Sequence, residues 1–581
     1  MNLCFVGGAA ANVPITSNTR YLFVDYASQQ ALTERGVQPT RCWDALTIEE
    51  GRRLDRFCYE RSVDWFRPAG RDITQWDSAS LGVIHEWTVW FQTFIAVYRF
   101  AACAAQWLAH DTPDEIVWDD RLDARWLIAL EQARVHYALR ATIHHIASDA
   151  GAQTSSKTWR PYSIQWKHIA AFTASNLVSQ ALSLFKTRDR SKILASFYPT
   201  LRAVLEGVTF DPRFQLAMFD RPPADLWKVG VRHGLRFALP KSITLSQADR
   251  AALERIQHDW RTFADSAQYQ ARFIWNEVDV WPALRGDLDA AIDRLSDTAM
   301  LLRGYQHTLA QEQPSCVFMP YDYPPLSRAI IEAARSLNIP TVVMPHGLPF
   351  FGNARDYFQA DYLLIWGQAL ADEFARLGRD RSTMIVTGFP KLDQYRPINQ
   401  PGLAIMILSS TFGPGSTLTA EDDPEVHLFG VLDALRDWPD RPVIIRPHPA
   451  ESTEYYERLL AKSGRVKVRI AGGGPIEPLY PETGLIIGPS STVFVEAMAL
   501  RIPVICVNFS KLAYPTPYDG RSGLEVITAV NTLRDRVGQF VRGNLRPDPI
   551  ETLEAICGPH DHHATARVLD ALEQISIKAK Q

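Results

Sequence analysis

From about residue 314 the chain alternates without interruption between short apolar runs and amphipathic stretches: CVFMP, PLSRAIIEAARSLN, PTVVMP, YLLIW, QALADEFARLG and TMIVTG. Brief β-rich runs that are apolar on both faces need helices on either side, which is the pattern of parallel βαβ units. A proline-containing segment, FPKLDQYRPINQPG (389–402), then breaks the pattern before it resumes with LAIMILSS, PEVHLFGVLDALRDW, PVIIRP, TEYYERLLAKS, VKVRI, LIIGP, TVFVEAMAL and PVICV. Two such blocks joined by a linker predict an α/β fold with two Rossmann-like, doubly wound domains facing a cleft. Ligands in such sheets lie outside the carboxyl ends of the strands.

The first half of the chain reads differently. Stretches such as LDARWLIALEQARVHYALRATIHHI and LRGDLDAAIDRLSDTAMLLRGYQHTLA carry helical periodicity, with YLFVDY and EIVWDD as strand candidates. The segment Trp87 to Ala109 is close to membrane-spanning length, but Gln92, Arg99 and Gln106 interrupt any lipid-facing surface, so it is expected to be a buried helix. The expected organisation is a helix-rich portion with some strands over 1–300 and a Rossmann-like part completing that domain over 301–395. A second Rossmann-like domain over 396–548 and a final helix packing back across the cleft over 549–581 complete it. A chain of 581 residues is too long for one core. Its net charge of -4 argues against a nucleic-acid partner. The seven scattered cysteines form no CxxC pair, and the N-terminus MNLCFVGGAAANVP has no basic leader region, so a reducing, cytoplasmic setting is expected.

Several residues fall where chemistry would be done. In LIIGPSSTVFVEAMAL, Ser490, Ser491 and Thr492 stand at a strand-to-helix turn, where hydroxyls and unpaired amides suit a phosphate. Glu496 shares that helix face and is placed to accept from ribose hydroxyls. Arg446 and His448 in RPHP follow the strand PVII, and both can donate to phosphate oxygens. Ser409 and Ser410 end the strand LAIMILSS and join the donor-binding set. In the first block, His346 follows the strand of TVVMPHG as a candidate general base or phosphate partner, and Asp322 in VFMPYDYPP is a candidate base or nucleophile. An N-cap for the serines, a surface Arg446 beside a core His448, a hydrogen-bonded structural role for His346 and an Asx-turn for Asp322 are the structural alternatives. AGGGP (471–475) lacks the Lys-Ser/Thr of a P-loop, and no acidic pair calls for a metal, so no metal or cofactor is expected.

Four marks, PHG (345–347), TGFPKLD (387–393), RPHP (446–449) and GPSSTVFVEAMALRIPVI (488–505), resemble those of bacterial GT-B glycosyltransferases of surface polysaccharide assembly. The pattern is most similar to the CDP-glycerol glycerophosphotransferases, the capsule and O-antigen transferases for 3-deoxy-D-manno-octulosonic acid (Kdo) and the polysialyltransferases, over residues 314–510. The resemblance implies a metal-independent two-Rossmann enzyme with the nucleotide donor held by the C-terminal domain, 396–548, and the acceptor by the N-terminal half, 1–300 being the acceptor side. It would assign the donor phosphate to His448 with Ser491 or Thr492, supported by Arg446, the ribose to Glu496, and the catalytic histidine to His346. Lys391 stands where those enzymes have Arg in a GxPRxD stretch, which loses the bidentate fork.

A single-phosphate CMP donor needs few cations, so CMP-Kdo or a related CMP or CDP donor is the expected substrate. A retaining Kdo transfer would then ask Asp322 to act as nucleophile. The expected acceptor is a growing surface polysaccharide or lipid-linked glycan, with peripheral contact at the inner membrane or with other assembly enzymes. A UDP-sugar-dependent transferase, a nucleotide-sugar 2-epimerase and a non-catalytic nucleotide-sugar-binding protein are the competing readings.

Overall fold

A computed structural model describes residues 1–7, 13–24, 26–146, 175–176, 190–348, 358–409, 424–449, 451, 453–463, 467–509 and 517–578. Three large parallel sheets organise them. The first contains β1 (Asn2–Val6), β2 (Thr19–Phe23), β3 (Thr40–Arg41), β4 (Glu115–Asp119) and β5 (Thr142–Ile146) in the order β3-β2-β1-β4-β5. The second contains β6 (Ser191–Ala195), β7 (Phe214–Met218), β8 (Arg236–Phe237), β9 (Cys316–Met319), β10 (Thr341–Val343), β11 (Tyr362–Ile365) and β12 (Met384–Val386), ordered β8-β7-β6-β9-β10-β11-β12. The third contains β13 (Ala404–Leu408), β14 (Val443–Arg446), β15 (Val468–Ile470), β16 (Thr483–Gly488), β17 (Val504–Val507) and β18 (Val526–Ile527), ordered β15-β14-β13-β16-β17-β18. In each sheet the chain builds outward to one side and then reverses to the other, which is the doubly wound topology.

The side-chain pattern of the strands explains why they pair in parallel. In β13, Ile405 and Ile407 pack into a core with Leu428, Val431, Ile445 and Ile487, while Met406 and Leu408 join the large core on the opposite face with Ile444 and Ile486. A strand buried on both faces must be covered on both, and helices do this.

Helices α1 (Leu81–Thr88) and α2 (Ile95–Asp111) are joined through a π-helical turn, Val89–Phe94. Together they hold the apolar Trp87 to Ala109 segment largely inside the protein, and Arg99 in its middle lies over the Trp43 ring at 5.0 Å. No described helix is long and apolar enough to cross a membrane. Helix α3 (Pro325–Ser336) packs against α1, which brings the first hundred residues to the edge of the second sheet.

The first half departs from its reading in two respects. Residues 1–146 build a complete five-stranded parallel sheet, and the second sheet takes β6, β7 and β8 from before residue 300, so a division at 300 cuts through it. Those strands are short and carry polar residues near their starts, Ser191 and Lys192 in β6 and Gln215 in β7, which hides them beside long helices. The stretch through ATIHHI likewise changes from helix (Ala124–His136) to strand, where His144 and His145 lie on β5.

The third sheet is followed by α4 (Val493–Ala499) between β16 and β17, then by α5 (Ile550–Cys557) and α6 (Ala564–Lys578). Helix α6 returns to the second sheet, where Leu569 lies against Gly207 of the Arg202–Phe210 helix and Arg213 pairs with Asp570 and Glu573 at 2.8 Å each. Asp393, in the short helical turn Pro390–Gln394 of the linker, accepts from the backbone amides of Ala564 and Thr565 at 3.0 and 2.7 Å and so caps α6. Gly388, two residues before that turn, holds φ +90° with its α-carbon against Ala564, where a Cβ would lie 2.8 Å from that side chain.

Candidate active site

Strand order reverses between β6 and β9 in the second sheet, and between β13 and β16 in the third. The residues that leave those four strands therefore line the two crevices where such folds bind ligands. Beyond β6 lie Ser196, Phe197 and Tyr198; beyond β9 lie Pro320, Tyr321, Asp322 and Tyr323. His346 follows β10, the next strand along.

His346 is half-buried, with the Tyr198 ring 4.5 Å away and the Tyr321 ring 5.5 Å away edge-on. Burial lowers its pKa below the ordinary histidine value, and the Pro320 carbonyl facing the ring pulls the other way. A neutral imidazole with one N–H turned to a carbonyl offers its other nitrogen as an acceptor, the state a general base needs.

The next two residues reach the third sheet. The Leu348 amide donates to Thr492 Oγ1 at 3.1 Å, and a Cβ on Gly347 would stand 3.3 Å from that same oxygen. Thr492 does not cap its own helix; its hydroxyl is used across the domain boundary. Ser491 Oγ accepts from the Val493 amide at 3.2 Å, and all three hydroxyl residues are part-exposed. The turn after β10 and the turn after β16 thus meet, which sets His346, two residues before Leu348, close to the Ser490–Thr492 turn. A cavity of about 10 Å³, lined among others by Ser409, Tyr456, Gly488 and Pro489, lies at the β13/β16 crevice and holds no more than a water-sized group.

Other expected ligands turn inward. Arg446 is 9% exposed, and its guanidinium donates to the carbonyls of Ala471, Gly473 and Gly474 at 2.6, 2.7 and 2.6 Å. It holds the glycine loop rather than presenting itself to a phosphate. Glu496 is also buried; it accepts from Lys391 Nζ, the Tyr395 hydroxyl and the Tyr480 hydroxyl, each at 2.7 Å. Lys391 reaches Glu477 as well, at 3.2 Å. Lys391 and Glu496 therefore satisfy each other, and neither faces a ribose or a phosphate. Asp322 is fully buried and accepts from the amides of Gln359 and Ala360 at 2.5 and 2.8 Å, with Arg328 at 3.9 Å. Burial raises its pKa. It fixes the chain that leads into β11 and cannot reach an anomeric carbon, which corrects the nucleophile expectation.

His448 stays at the surface, while its backbone amide donates to Ser409 Oγ at 2.8 Å and to Glu451 Oε2 at 2.9 Å. Ser409 in turn donates to Glu451, whose other oxygen accepts from the Tyr456 hydroxyl at 3.1 Å. Ser410 lies outside the described residues.

The sequence reading passed over Asp220, Tyr198 and Tyr321. Asp220 leaves β7 at the same sheet edge and accepts from the Phe197 amide at 2.9 Å. Burial drives its pKa up to about 6 against the hydrogen bonds it accepts, and its charge is felt by Tyr321. Its signal was the apolar run FQLAM followed by Phe-Asp-Arg-Pro-Pro, a strand end like the others.

No protein-family description matches the chain, and no curated protein is significantly similar to it. Among solved structures it overlaps the UDP-GlcNAc 2-epimerase of Methanocaldococcus jannaschii at 13% identity, over 66% of this chain and 99% of that one, with a TM-score of 0.39. The Neisseria meningitidis UDP-GlcNAc 2-epimerase bound to UDP-GlcNAc follows at 12% identity, 66% and 100% coverage and a TM-score of 0.38. The wall teichoic acid polymerase TagF, soaked with CDPG, gives 11%, 71% and 97%, and 0.37. Overlaps of this size carry no functional argument, and the residues themselves must supply it.

Proposed function

We propose that this protein is a metal-independent glycosyltransferase of the GT-B type that moves a sugar from a nucleotide-activated donor, a CMP or CDP donor such as CMP-Kdo, to a surface-polysaccharide or lipid-linked glycan acceptor. One observation carries the reading. A histidine with a lowered pKa, at the carboxyl edge of one doubly wound sheet, borders the hydroxyl-lined turn at the carboxyl edge of another, and the two turns are joined by the bond from Leu348 to Thr492. An activated carbon held at the second turn would meet a base on the first, the arrangement that group transfer requires.

In this reading the donor phosphate rests against Ser490, Ser491 and the Thr492 backbone, with His448 at the rim. Arg446 and Lys391 are already paired inside the protein, so the turn offers little fixed positive charge, which ranks a one-phosphate CMP donor ahead of a two-phosphate CDP donor. An acceptor hydroxyl attacks the anomeric carbon, His346 takes its proton, the bond to the phosphate oxygen breaks, and the nucleotide leaves carrying that electron pair. With Asp322 sealed away, this single displacement inverts configuration. Asp220, whose pKa lies near 6, is the carboxyl nearest in chemistry to a second proton-transfer group.

The test is a thermal-shift series with CMP, CDP, UDP and GDP, followed by transfer assays with the sugar of whichever nucleotide binds. A CMP- or CDP-selective rise in midpoint, with transfer lost in His346→Gln but binding kept, supports the proposal. Conversion of a UDP-sugar with no acceptor present would replace it by epimerisation. Binding with no turnover of any donor would leave a nucleotide-sugar-binding protein.

A further inference from the structure

Beside His346 begins a file of aromatic rings that comes from two distant parts of the chain. Tyr321 lies 5.4 Å from Tyr323, Tyr323 lies 4.4 Å from Trp87 of α1, and Trp87 stacks on Phe91 at 5.6 Å with planes 9° apart. Tyr198 closes the His346 end, 6.0 Å from Tyr321. Every one of these rings is part-exposed, in a protein that buries Trp65, Trp76, Trp118, Trp260 and Trp366 almost completely. The packing of α3 on α1 carries Trp87 and Phe91 to the end of β9.

Two further facts distinguish the file from an ordinary core edge. Tyr198 and Tyr321 flank the β6/β9 reversal, the crevice where such sheets take ligands. Their hydroxyls make no hydrogen bond to the described residues, although both rings are half-enclosed and burial raises the pKa of each phenol. A half-buried hydroxyl with no partner is a place left for a ligand's polar group.

We infer that this file is the acceptor subsite, and that it holds a carbohydrate chain whose sugar rings lie on Trp87, Tyr323 and Tyr321 and whose hydroxyls meet Tyr198, Tyr321 and Asp220. The inference rests on the transferase reading for its direction, since the file leads to the base. The chemistry selects a glycan over a lipid tail: four of the five rings carry an N–H or O–H, and Asp220 stands beside Tyr321. A sugar has an apolar face for stacking and a hydroxyl edge for the phenols, whereas a hydrocarbon would leave the Tyr198 and Tyr321 hydroxyls without a polar partner.

The experiment uses the full-length protein on an array of neutral hexose, N-acetylhexosamine and 2-keto-sugar-terminated oligosaccharides, with the retained glycan then titrated by calorimetry. Wild type should retain a defined glycan. Trp87→Ala should weaken it by about five- to tenfold while Trp87→Phe restores most of the affinity. Tyr321→Phe, which keeps the ring, should cost about five- to tenfold by loss of one hydrogen bond. Each variant should keep the wild-type nucleotide shift, which also certifies its fold. No glycan retained by wild type, equal glycan binding by Trp87→Ala, or loss of the nucleotide shift in a folded Trp87→Ala each overturns the subsite. Glycan binding that follows this pattern in a protein with no nucleotide response would leave the subsite standing and remove the transferase reading.

Discussion

The role of Glu496 can be decided by one substitution. Its carboxylate receives Lys391 on one oxygen and the hydroxyls of Tyr395 and Tyr480 on the other. In Glu496→Gln the amide oxygen can keep both phenols, but the NH2 group then points at the Lys391 ammonium, donor against donor. Removing one member of a buried pair costs 3–5 kcal/mol. Lys391 is 21% exposed and keeps Glu477 at 3.2 Å, which puts the loss near the lower end, about 3 kcal/mol. For an unfolding unit of roughly 150–250 residues that is about 6–12 °C in midpoint. Adding Lys391→Met removes the stranded charge and should recover about 2 kcal/mol of the loss, a coupling read by the double-mutant cycle. Scanning fluorimetry measures all three variants with and without the nucleotide that shifts wild type. Below its lowered midpoint, Glu496→Gln should still show a wild-type ligand shift. A variant that melts like wild type but no longer responds to nucleotide would refute the argument and make the carboxylate a ribose ligand.

Other outcomes follow from the same contacts. Thr492→Val removes the acceptor of the Leu348 amide for about 1 kcal/mol of stability; because the bond joins the turns that carry His346 and the Ser490–Thr492 hydroxyls, the transfer kcat should fall further than KM rises. Arg446→Lys cannot span the three carbonyls of the glycine loop, and hydrogen exchange at 471–474 should accelerate about tenfold while the nucleotide shift persists. Asp220 has its folded pKa raised from 3.8 to about 6, so its contribution is fully present below pH 3.8 and is lost as pH rises through about 6. Asp220→Asn should flatten the stability profile across that window. The kcat/KM of transfer should fall on the acid side of pH 6.5, through the lowered pKa of His346, and a wild-type profile that stays flat through that range would remove His346 as the base.

What could be read from the sequence was where the strands of the second half end. VIIR and GLIIG, each apolar on both faces and each followed by Pro, announce a strand and its stop, and His346 and Thr492 lie at such stops. What could not be read was the direction of a side chain once the stop is reached. Arg446 and His448 are two residues apart in RPHP; the first turns inward because three carbonyls of a loop 25 residues later complete its fork, and the second stays outside. Asp322 was plausible as a nucleophile until two amides from beyond residue 358 enclosed it. The early strands were lost for another reason. β6 and β7 are short runs flanking the Arg202–Phe210 helix, and β6 opens on Ser191 and Lys192, so the strand pattern is brief and partly polar.

The cap that Asp393 places on α6 has a mechanical consequence. It pins together the two points at which the backbone travels between the second and third sheets. One large core already runs from the second sheet into the third, with Met319 and Met406 both in it, and the cap fastens the two passages beside that shared packing. A helix-capping carboxylate thereby helps keep His346 and the Ser490–Thr492 turn in register, a task that a single peptide link would leave to the core alone.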